Sequence, residues 1–421
     1  MTAAALDSTD VDAATLRTTE VPYRGDLGAL LPADGALSWT RRGEGLVGWG
    51  ERARLEVTGS SALTEAAAWW DDVRAGLDGG DVLAVPGSGP VLFASIAFDP
   101  AAGTSVFVVP EVVVGRRAGR TWVTADADRD LREVLRPGDD GERPAPQLRY
   151  ADGALDPVRW CAAVADAVRR IENGDLAKVV LARDLLVAAD VPLDPRRLLG
   201  RLAERFPDCW TFAVDGLLGA TPELLLRRTG SRLSARVLAG TAPRGAGAED
   251  ARLADALLSS TKDRAEHALA VRSLVDALLP FCSELDVPSE PDLLTLANVR
   301  HLATDVTGSQ RRRGPAAAAG LLDLIGAVHP TAAVCGTPTD RAGALIAELE
   351  GMDRGRYAGP VGWLDSRGDG EFGLALRCAE LTGPTSARLF AGCGIVAGSD
   401  PAAELAETQA KFAAFRAALE G

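Results

Sequence analysis

Histidines and paired cysteines are both scarce in this 421-residue sequence. Three histidines are too few to build a metal site from imidazoles alone. The six cysteines are scattered, with no C-x-x-C pair, and most have apolar neighbours. Such spacing disfavours disulfides and zinc ligation, and it predicts reduced, buried thiols in a cytoplasmic protein. A single catalytic cysteine is the less favoured alternative.

The chain also lacks an apolar run long enough to span a membrane. Residues 1–20 contain one basic residue, Arg17, and have neither the charged nor the apolar region of a signal peptide. We therefore expect a flexible N-terminal tail over 1–20. The net charge of −14 argues against nucleic acid or an anionic membrane as the main partner. An anionic substrate would need arginines and lysines placed locally.

A glycine-punctuated apolar strand over 389–398 leads into a predicted helix for which Ser399 or Asp400 is a candidate N-cap. On this helix Glu404, Glu407 and Lys411 lie at i, i+3 and i+7 and share one face. Two carboxylates and an ammonium beside a glycine-lined strand would suit a divalent cation next to an organic acid. A solvated charged face with one ion pair is the alternative interpretation.

A second helix, predicted over 249–282 with a break near residues 259–260, repeats this geometry. Asp263 and Glu266 lie on it at i, i+3. Two helices that each offer paired carboxylates could bracket one hard cation. A helix surface covered with ion pairs would give the same pattern.

Lys178 begins a short strand predicted over 178–184, and alternation puts it on the same face as Val180 and Ala182. An unpaired buried ammonium is costly, so a lysine on an apolar face suggests a functional amine that could act as a base. A lysine on an exposed edge strand is the alternative.

Four further features would suit acid–base chemistry on an anion. The turn over 219–223 delivers Glu223 to the next strand, and residues 239–245 read as a glycine-rich loop with N–H groups free for an anion. Arg377 ends an apolar strand, where a guanidinium needs a carboxylate partner. Of His301 and His329, the second follows a helix end and is the better functional candidate.

These features occur within stretches that resemble the chorismate-utilising enzymes, and most closely the isochorismate synthases. Eight matching stretches occur in the same order over about 235 residues. They are residues 178–183, 219–224, 238–241, 262–267, 301–304, 329–331, 356–363 and 391–396 with the helix that follows. Residues 45–50 and 93–100 match more loosely.

The resemblance implies an α+β fold of two packed, mostly antiparallel sheets, with helices on the outer faces and the active site in the cleft between the sheets. It also implies a single catalytic domain over 21–421, in which 21–150 is the more divergent half and 151–421 carries the motifs. The implied reaction is the Mg²⁺-dependent addition of water at C2 of chorismate with loss of the C4 hydroxyl. The product would feed menaquinone or siderophore synthesis.

The resemblance assigns roles to particular residues. Lys178 would be the general base that activates water, and Glu223 the general acid that protonates the departing hydroxyl. Glu266 and Glu407 match the Mg²⁺ ligands, and Asp263 and Glu404 would support the ion directly or through water. The positions that match substrate-binding residues are Gly240, Thr241, His329, Tyr357, Arg377, Gly392, Cys393, Gly394 and Lys411.

The sequence departs from the family pattern at three positions. Thr221 stands where serine is usual and keeps the hydroxyl. Ala332 replaces a proline, which puts the placement of His329 in doubt. Cys393 replaces alanine or glycine and would act through its backbone.

Lys178 also separates the branches of the family. Anthranilate synthases usually carry glutamine there and use ammonia from a glutaminase subunit, so we expect water as the nucleophile and no such subunit. Ala239 stands where aminodeoxychorismate synthases place a lysine. The alternatives are a salicylate synthase, which shares these residues and expels pyruvate, and a chorismate-binding protein without catalysis. A monomer is the default expectation.

Overall fold

The computed structural model describes residues 15–77, 79–138, 145–314 and 318–421. Within these ranges the chain forms 23 strands, nine helices and a 3₁₀ turn at Gly28–Leu30. The strands are β1 (Leu16–Val21), β2 (Leu37–Arg41), β3 (Glu44–Trp49), β4 (Ala53–Val57), β5 (Gly79–Asp81), β6 (Val91–Ser95), β7 (Ser105–Val109), β8 (Val112–Arg117), β9 (Arg120–Asp126), β10 (Leu148–Asp152), β11 (Lys178–Ala189), β12 (Trp210–Val214), β13 (Leu217–Thr221), β14 (Leu224–Thr229), β15 (Arg232–Pro243), β16 (Cys282–Asp286), β17 (Asp292–Thr295), β18 (Val299–Gln310), β19 (Gly336–Thr337), β20 (Pro360–Asp365), β21 (Gly370–Leu374), β22 (Cys378–Gly383) and β23 (Ser386–Ile395). The helices are α1 (Ala62–Gly76), α2 (Leu131–Val134), α3 (Pro157–Glu172), α4 (Pro195–Arg205), α5 (Ala248–Ser259), α6 (Thr261–Leu278), α7 (Leu321–Val328), α8 (Thr339–Leu349) and α9 (Pro401–Glu420).

The described strands form two sheets, of thirteen and ten strands. The larger sheet follows the order β10-β11-β23-β22-β13-β12-β2-β3-β8-β9-β1-β5, with β19 beside β11. The smaller follows β16-β18-β15-β14-β21-β20-β6-β7-β4, with β17 beside β18. Every strand pair is antiparallel except β1 with β5. The predicted α+β fold with two mostly antiparallel sheets is confirmed.

Both sheets combine strands from the two halves of the chain. In the larger sheet β2 pairs with β12, and in the smaller sheet β6 pairs with β20. Each of these pairs joins a strand before residue 150 to a strand after it. The divergent half and the motif-bearing half therefore share their sheets.

The apolar core lies between the sheets, and the helices cover their outer faces. Aromatic side chains of both sheets fill the core, namely Trp39, Phe93, Phe212, Trp363 and Phe372. Helices α3, α4, α8 and α9 contact the larger sheet, and α1, α6 and α7 contact the smaller one. A second apolar cluster joins α4 and α9 to the larger sheet through Leu198, Leu202, Phe412, Phe415 and Leu419.

The long helices begin at the capping residues that the sequence predicts. Asp156 caps α3, because its carboxylate accepts hydrogen bonds from the backbone N–H groups of Val158 and Arg159. Asp400 caps α9 in the same way, through the N–H of Ala403 at 2.8 Å. The helix predicted over 249–282 is broken after Ser259, and the side chain of Ser260 caps α6.

The expectation of a flexible tail over residues 1–20 is wrong for its last part. Residues 16–20 belong to β1, which lies between β5 and β9, and Leu16 and Thr18 are buried. Ladder hydrogen bonds on both edges hold this strand in place. Residues 1–14 lie outside the described residues. In the part of the chain that the structure describes, no helix is long and apolar enough to cross a membrane.

One buried carboxylate ties the two sheets together. Glu371 of β21, in the smaller sheet, accepts hydrogen bonds from Trp39 Nε1 at 3.1 Å and Trp210 Nε1 at 3.3 Å, both in the larger sheet. Arg117 of the larger sheet and Arg227 of the smaller sheet also donate to it, at 3.0 and 3.2 Å. Burial alone would raise the pKa of Glu371, but these arginines and the indole hold it below its usual value.

Replacing this carboxylate should destabilise the fold. We expect Glu371→Ala to lower the free energy of unfolding by about 1–3 kcal/mol, because it leaves two buried indole N–H groups and two partly buried guanidinium groups without a partner. Urea unfolding followed by circular dichroism would measure the change. Glu348→Ala is the control, since Glu348 forms an exposed ion pair with Arg170 and should change stability by less than about 1 kcal/mol. Equal effects of the two variants would contradict the assignment.

Candidate active site

An open cleft, of about 720 Å³ when the space open to solvent is included, brings together most of the residues that the sequence singled out. Its walls come from β11, β15, β18 and β23, from helices α6 and α9, and from the segments around residues 333, 357 and 377. The predicted site residues that line it are Glu223, Gly240, Thr241, Glu266, Tyr357, Arg377, Gly392, Cys393, Gly394, Glu407 and Lys411. Lys178, Asp263, Glu404 and His329 are not among the lining residues.

Lys178 lies behind the cleft lining and contacts Glu266, which lines the cleft. The lysine is fully buried at the start of β11, and its Nζ lies 3.1 Å from Oε1 of Glu266. The contact lacks hydrogen-bond geometry, so the ammonium has no hydrogen-bond acceptor among the described residues. A buried amine without an acceptor differs from the solvated edge lysine of the alternative interpretation.

The close approach of Lys178 and Glu266 depends on Gly394 of β23. A Cβ atom at this position would lie 2.0 Å from Glu266 Oε1 and 3.0 Å from Lys178 Cε. No side chain fits there without moving the carboxylate. The glycine-punctuated strand therefore leaves room for the lysine and the glutamate together.

Glu266 and Glu407 face the cleft from different helices. Burial raises the pKa of Glu266, and the negative charge of Glu407 adds to that shift, against the opposing charge of Lys178. Glu407 Oε1 is 2.6 Å from Lys411 Nζ, which also donates to the carbonyl oxygen of Gly392 at 2.7 Å. Two carboxylates that repel each other across a cleft are a donor set that fits a hard divalent cation.

The other two predicted metal-site carboxylates have different partners. Glu404 accepts a hydrogen bond from Lys262 Nζ at 2.9 Å, and Asp263 receives one from the hydroxyl of Ser260. Within the described residues, no three acidic, histidine or cysteine side chains form a metal-binding group. The structure therefore brings two of the four carboxylates to the cleft. That number suits Mg²⁺, which keeps several waters and accepts few protein ligands.

Glu223 stands at the turn between β13 and β14, on the other side of the cleft. Its backbone N–H donates to the hydroxyl of Thr221 at 3.3 Å, so the threonine that replaces serine retains a positioning hydrogen bond. Burial raises the pKa of Glu223 to about 8, against weaker opposing effects that include the charges of Lys178 and Lys411. A carboxyl group with this pKa is protonated at neutral pH and can act as an acid.

His301 is the functional candidate that sequence reasoning passed over. It lies on β18 opposite Thr241, whose hydroxyl is 3.1 Å from its Nδ1, and Arg377 Nη2 donates to its Nε2 at 2.8 Å. Since a guanidinium only donates, Nε2 accepts and Nδ1 carries the proton. Burial and the charge of Arg377 keep the pKa of His301 well below its usual value, so this histidine is neutral and orients the arginine.

His329 has a different environment from the one predicted. Its Nε2 donates to the carbonyl oxygen of Phe98 at 2.9 Å, and its ring meets the Phe98 ring edge-on at 5.8 Å. Burial lowers the pKa of His329 to about 4, which keeps the ring neutral. The structure gives it the contacts of a structural histidine behind the cleft wall.

The anion-binding loop predicted over 239–245 is instead mostly strand. Residues 239–243 belong to β15 and pair with β18, and the register shifts between Ala239 and Thr241. Gly240 has a φ of +75°, and a Cβ on it would lie 3.0 Å from Cβ of Asp263. A β-bulge thus brings Gly240 and Thr241 to the cleft.

Tyr357 forms part of the opposite wall. Its ring is buried and stacks on Phe390 with the ring centroids 4.9 Å apart and 8° between the planes. Gly392, Cys393 and Gly394 lie in β23 and pair with β11. Burial raises the pKa of the Cys393 thiol well above its usual value, so it is not a reactive thiolate. All six cysteines are free, as predicted.

Comparison with known proteins identifies the family of this chain. The chorismate binding enzyme family matches residues 36–420. The chain belongs to this family. A putative isochorismate synthase of Mycobacterium tuberculosis, MenF, is 40% identical over 348 residues, which are 79% of this chain and 87% of that protein.

Solved structures agree with this assignment. The putative 2,3-dihydroxybenzoate-specific isochorismate synthase DhbC of Bacillus anthracis is 32% identical, with a TM-score of 0.78 over 93% of this chain and 98% of that one. The menaquinone-specific isochorismate synthase MenF of Escherichia coli is 26% identical, with a TM-score of 0.77 over 96% of this chain and 95% of that one. The family fold therefore extends over nearly the whole chain.

The contact at Gly394 gives a test of the site that leaves the fold largely intact. We expect Gly394→Ala to displace Glu266 and to weaken Mn²⁺ binding, used as a probe of the carboxylate pair, by at least tenfold in isothermal titration calorimetry. Gly343→Ala is the control, because a Cβ at this position of α8 meets no atom within 4 Å. Unchanged Mn²⁺ affinity in a folded Gly394→Ala protein would contradict the assigned cation site.

Proposed function

We propose that this protein is an isochorismate synthase, an isomerase that converts chorismate to isochorismate with Mg²⁺. The main support is one cleft lined by a carboxyl group with a pKa of about 8 and by two carboxylates from different helices, one of which contacts the buried Lys178. The names of similar family members point the same way.

The residues divide into acid, base and anchor. Lys178 would take a proton from the water whose oxygen bonds to C2 of the ring. Glu223 would give its proton to the C4 hydroxyl as the C4–O bond breaks and water leaves. One proton is accepted and one is donated, so the net change is an isomerisation.

Positive groups around the cleft would hold the two carboxylates of chorismate. Arg377 and Lys411 supply charge, Thr241 a hydroxyl, and His301 fixes the guanidinium. Glu266 and Glu407 would hold Mg²⁺, which would offset the negative charge of the ring carboxylate. Tyr357 contributes a buried aromatic ring to the cleft wall.

The setting of the enzyme belongs to the same proposal. An enzyme that uses water as its nucleophile needs no glutaminase subunit and could act as a monomer. Free cysteines are typical of cytoplasmic proteins, which fits a cytoplasmic enzyme. The product would enter menaquinone or siderophore synthesis; the similar enzymes are named for menaquinone and for 2,3-dihydroxybenzoate.

Incubation with chorismate and Mg²⁺ tests the reaction directly. Chromatography should show isochorismate, no anthranilate when ammonium is added, and no product with EDTA. Lys178→Ala and Glu266→Ala should each abolish turnover, whereas Glu348→Ala, an exposed carboxylate, should retain it. Salicylate with stoichiometric pyruvate would instead identify a salicylate synthase. No turnover by the folded protein would favour a chorismate-binding protein.

The role of Glu223 predicts the alkaline limb of the pH profile. Because its pKa is raised to about 8, the acid form prevails below pH 8 and is lost above it. We therefore expect kcat/KM to fall as pH rises through about 8, and Glu223→Gln to lower kcat by roughly 10²–10⁴-fold. A profile that stays flat to pH 9.5 would exclude Glu223 as the acid.

A further inference from the structure

One edge of the catalytic strand has a gap in its ladder. On this edge β11 pairs with β19 at residues 178–179 and with β10 at residues 185–189. Among the described strands, none pairs with this edge between the two. Backbone N–H and C=O groups in a buried strand need partners, so the gap must be filled by other groups.

The Val180 N–H donates to the carbonyl oxygen of Cys335 at 2.7 Å, and the side chains of Glu350 and Arg354 supply partners for the next two groups. Ala182 N–H donates to Glu350 Oε1 at 2.7 Å, and Arg354 Nη2 donates to the carbonyl oxygen of Val180 at 2.8 Å. The two side chains bond to each other, with Arg354 Nε 2.9 Å from Glu350 Oε2, and both are almost completely buried. Trp160 Nε1 donates to the carbonyl oxygen of Ala182 at 3.3 Å. Side chains therefore replace a neighbouring strand just after Lys178.

The same guanidinium reaches the cleft wall. Arg354 Nη1 donates to the carbonyl oxygen of Val334 at 2.8 Å, and the guanidinium carbon lies 4.2 Å from the centre of the Phe98 ring. Val180, Val334 and Arg354 all line the cleft. Replacing a buried ion pair with apolar side chains of similar volume is often neutral or stabilising. The presence of the buried Glu350–Arg354 pair is therefore better explained by the position that it gives to β11 than by a contribution to stability.

We infer that Arg354 and Glu350 are positioning residues that fix β11 so that the amine of Lys178 meets Glu266 at the cleft. The functional part of this inference rests on the proposed isochorismate synthase activity. The structural part does not, because it concerns the environment of Lys178 in the free protein.

The lysine content of the chain makes the test selective. The sequence contains only three lysines, Lys178, Lys262 and Lys411. A protein labelled with ¹³C at the lysine ε-carbons therefore gives three side-chain signals, which Lys262→Arg and Lys411→Arg assign by deletion. Lys262 is half-exposed at Glu404 and serves as an internal reference.

Arg354→Gln adds no lysine signal and removes the guanidinium fork that reaches two carbonyl groups, and Glu350→Gln keeps the shape but loses the charge. In each folded variant we expect the Lys178 signal to move by more than its linewidth and the Lys262 signal to stay. Arg356→Gln is the matched control, since Arg356 is similarly buried and bonds to Val214 and Asp215 outside β11. Its Lys178 signal should not move.

In the activity assay, Arg354→Gln should lower kcat by roughly 10²-fold, the cost of misplacing a reacting group by about 1 Å, with little change in KM. An unmoved Lys178 signal in both folded variants, or an equal movement in Arg356→Gln, would overturn the inference. Absence of chorismate turnover in the unmodified protein would overturn the proposed function but leave the resonance result to decide the positioning role.

Discussion

The site depends on the burial of an ammonium against a carboxylate. Lys178 and Glu266 come from a strand of one sheet and a helix over the other, and their contact needs a glycine on a third element. Neither charge is stable in an apolar interior alone. Their proximity therefore requires β11, β23 and α6 to meet with little freedom. The sheet hydrogen bonds, the helix caps and the Glu350–Arg354 pair that bonds to β11 all restrict how these elements can move.

Residue spacing predicts which side chains share a helix face, but not which helices come together at the cleft. Glu266 and Glu407 were correctly placed on helix faces, and their arrival at one cleft follows from helix packing, which i, i+3 spacing does not contain. Asp263 and Glu404 have the same spacing but bond to Ser260 and Lys262. Periodicity cannot distinguish a carboxylate that faces a cleft from one that is hydrogen-bonded to a neighbouring side chain.

The two-sheet fold came from the resemblance, since strand order over such long separations leaves no local signal. The helix boundaries came from capping residues and were close to those observed. His329 was preferred because it follows a helix end, whereas His301 reaches the cleft through its register opposite a bulge. Turn-forming glycines also suggested a loop where Gly240 bends a strand instead.

Strands that pair across the whole length of the chain have a consequence for its synthesis. The strand that carries Lys178, β11, pairs with β23, so that Val179 lies opposite Ile395. The early strand β6 pairs with β20 in the same way. A ribosome that has delivered the first 350 residues has therefore produced neither sheet in full, and apolar strand edges stay uncovered until the last segment emerges. We expect this protein to acquire its fold late, after release, and to be most prone to aggregation while its C-terminal strands are still missing.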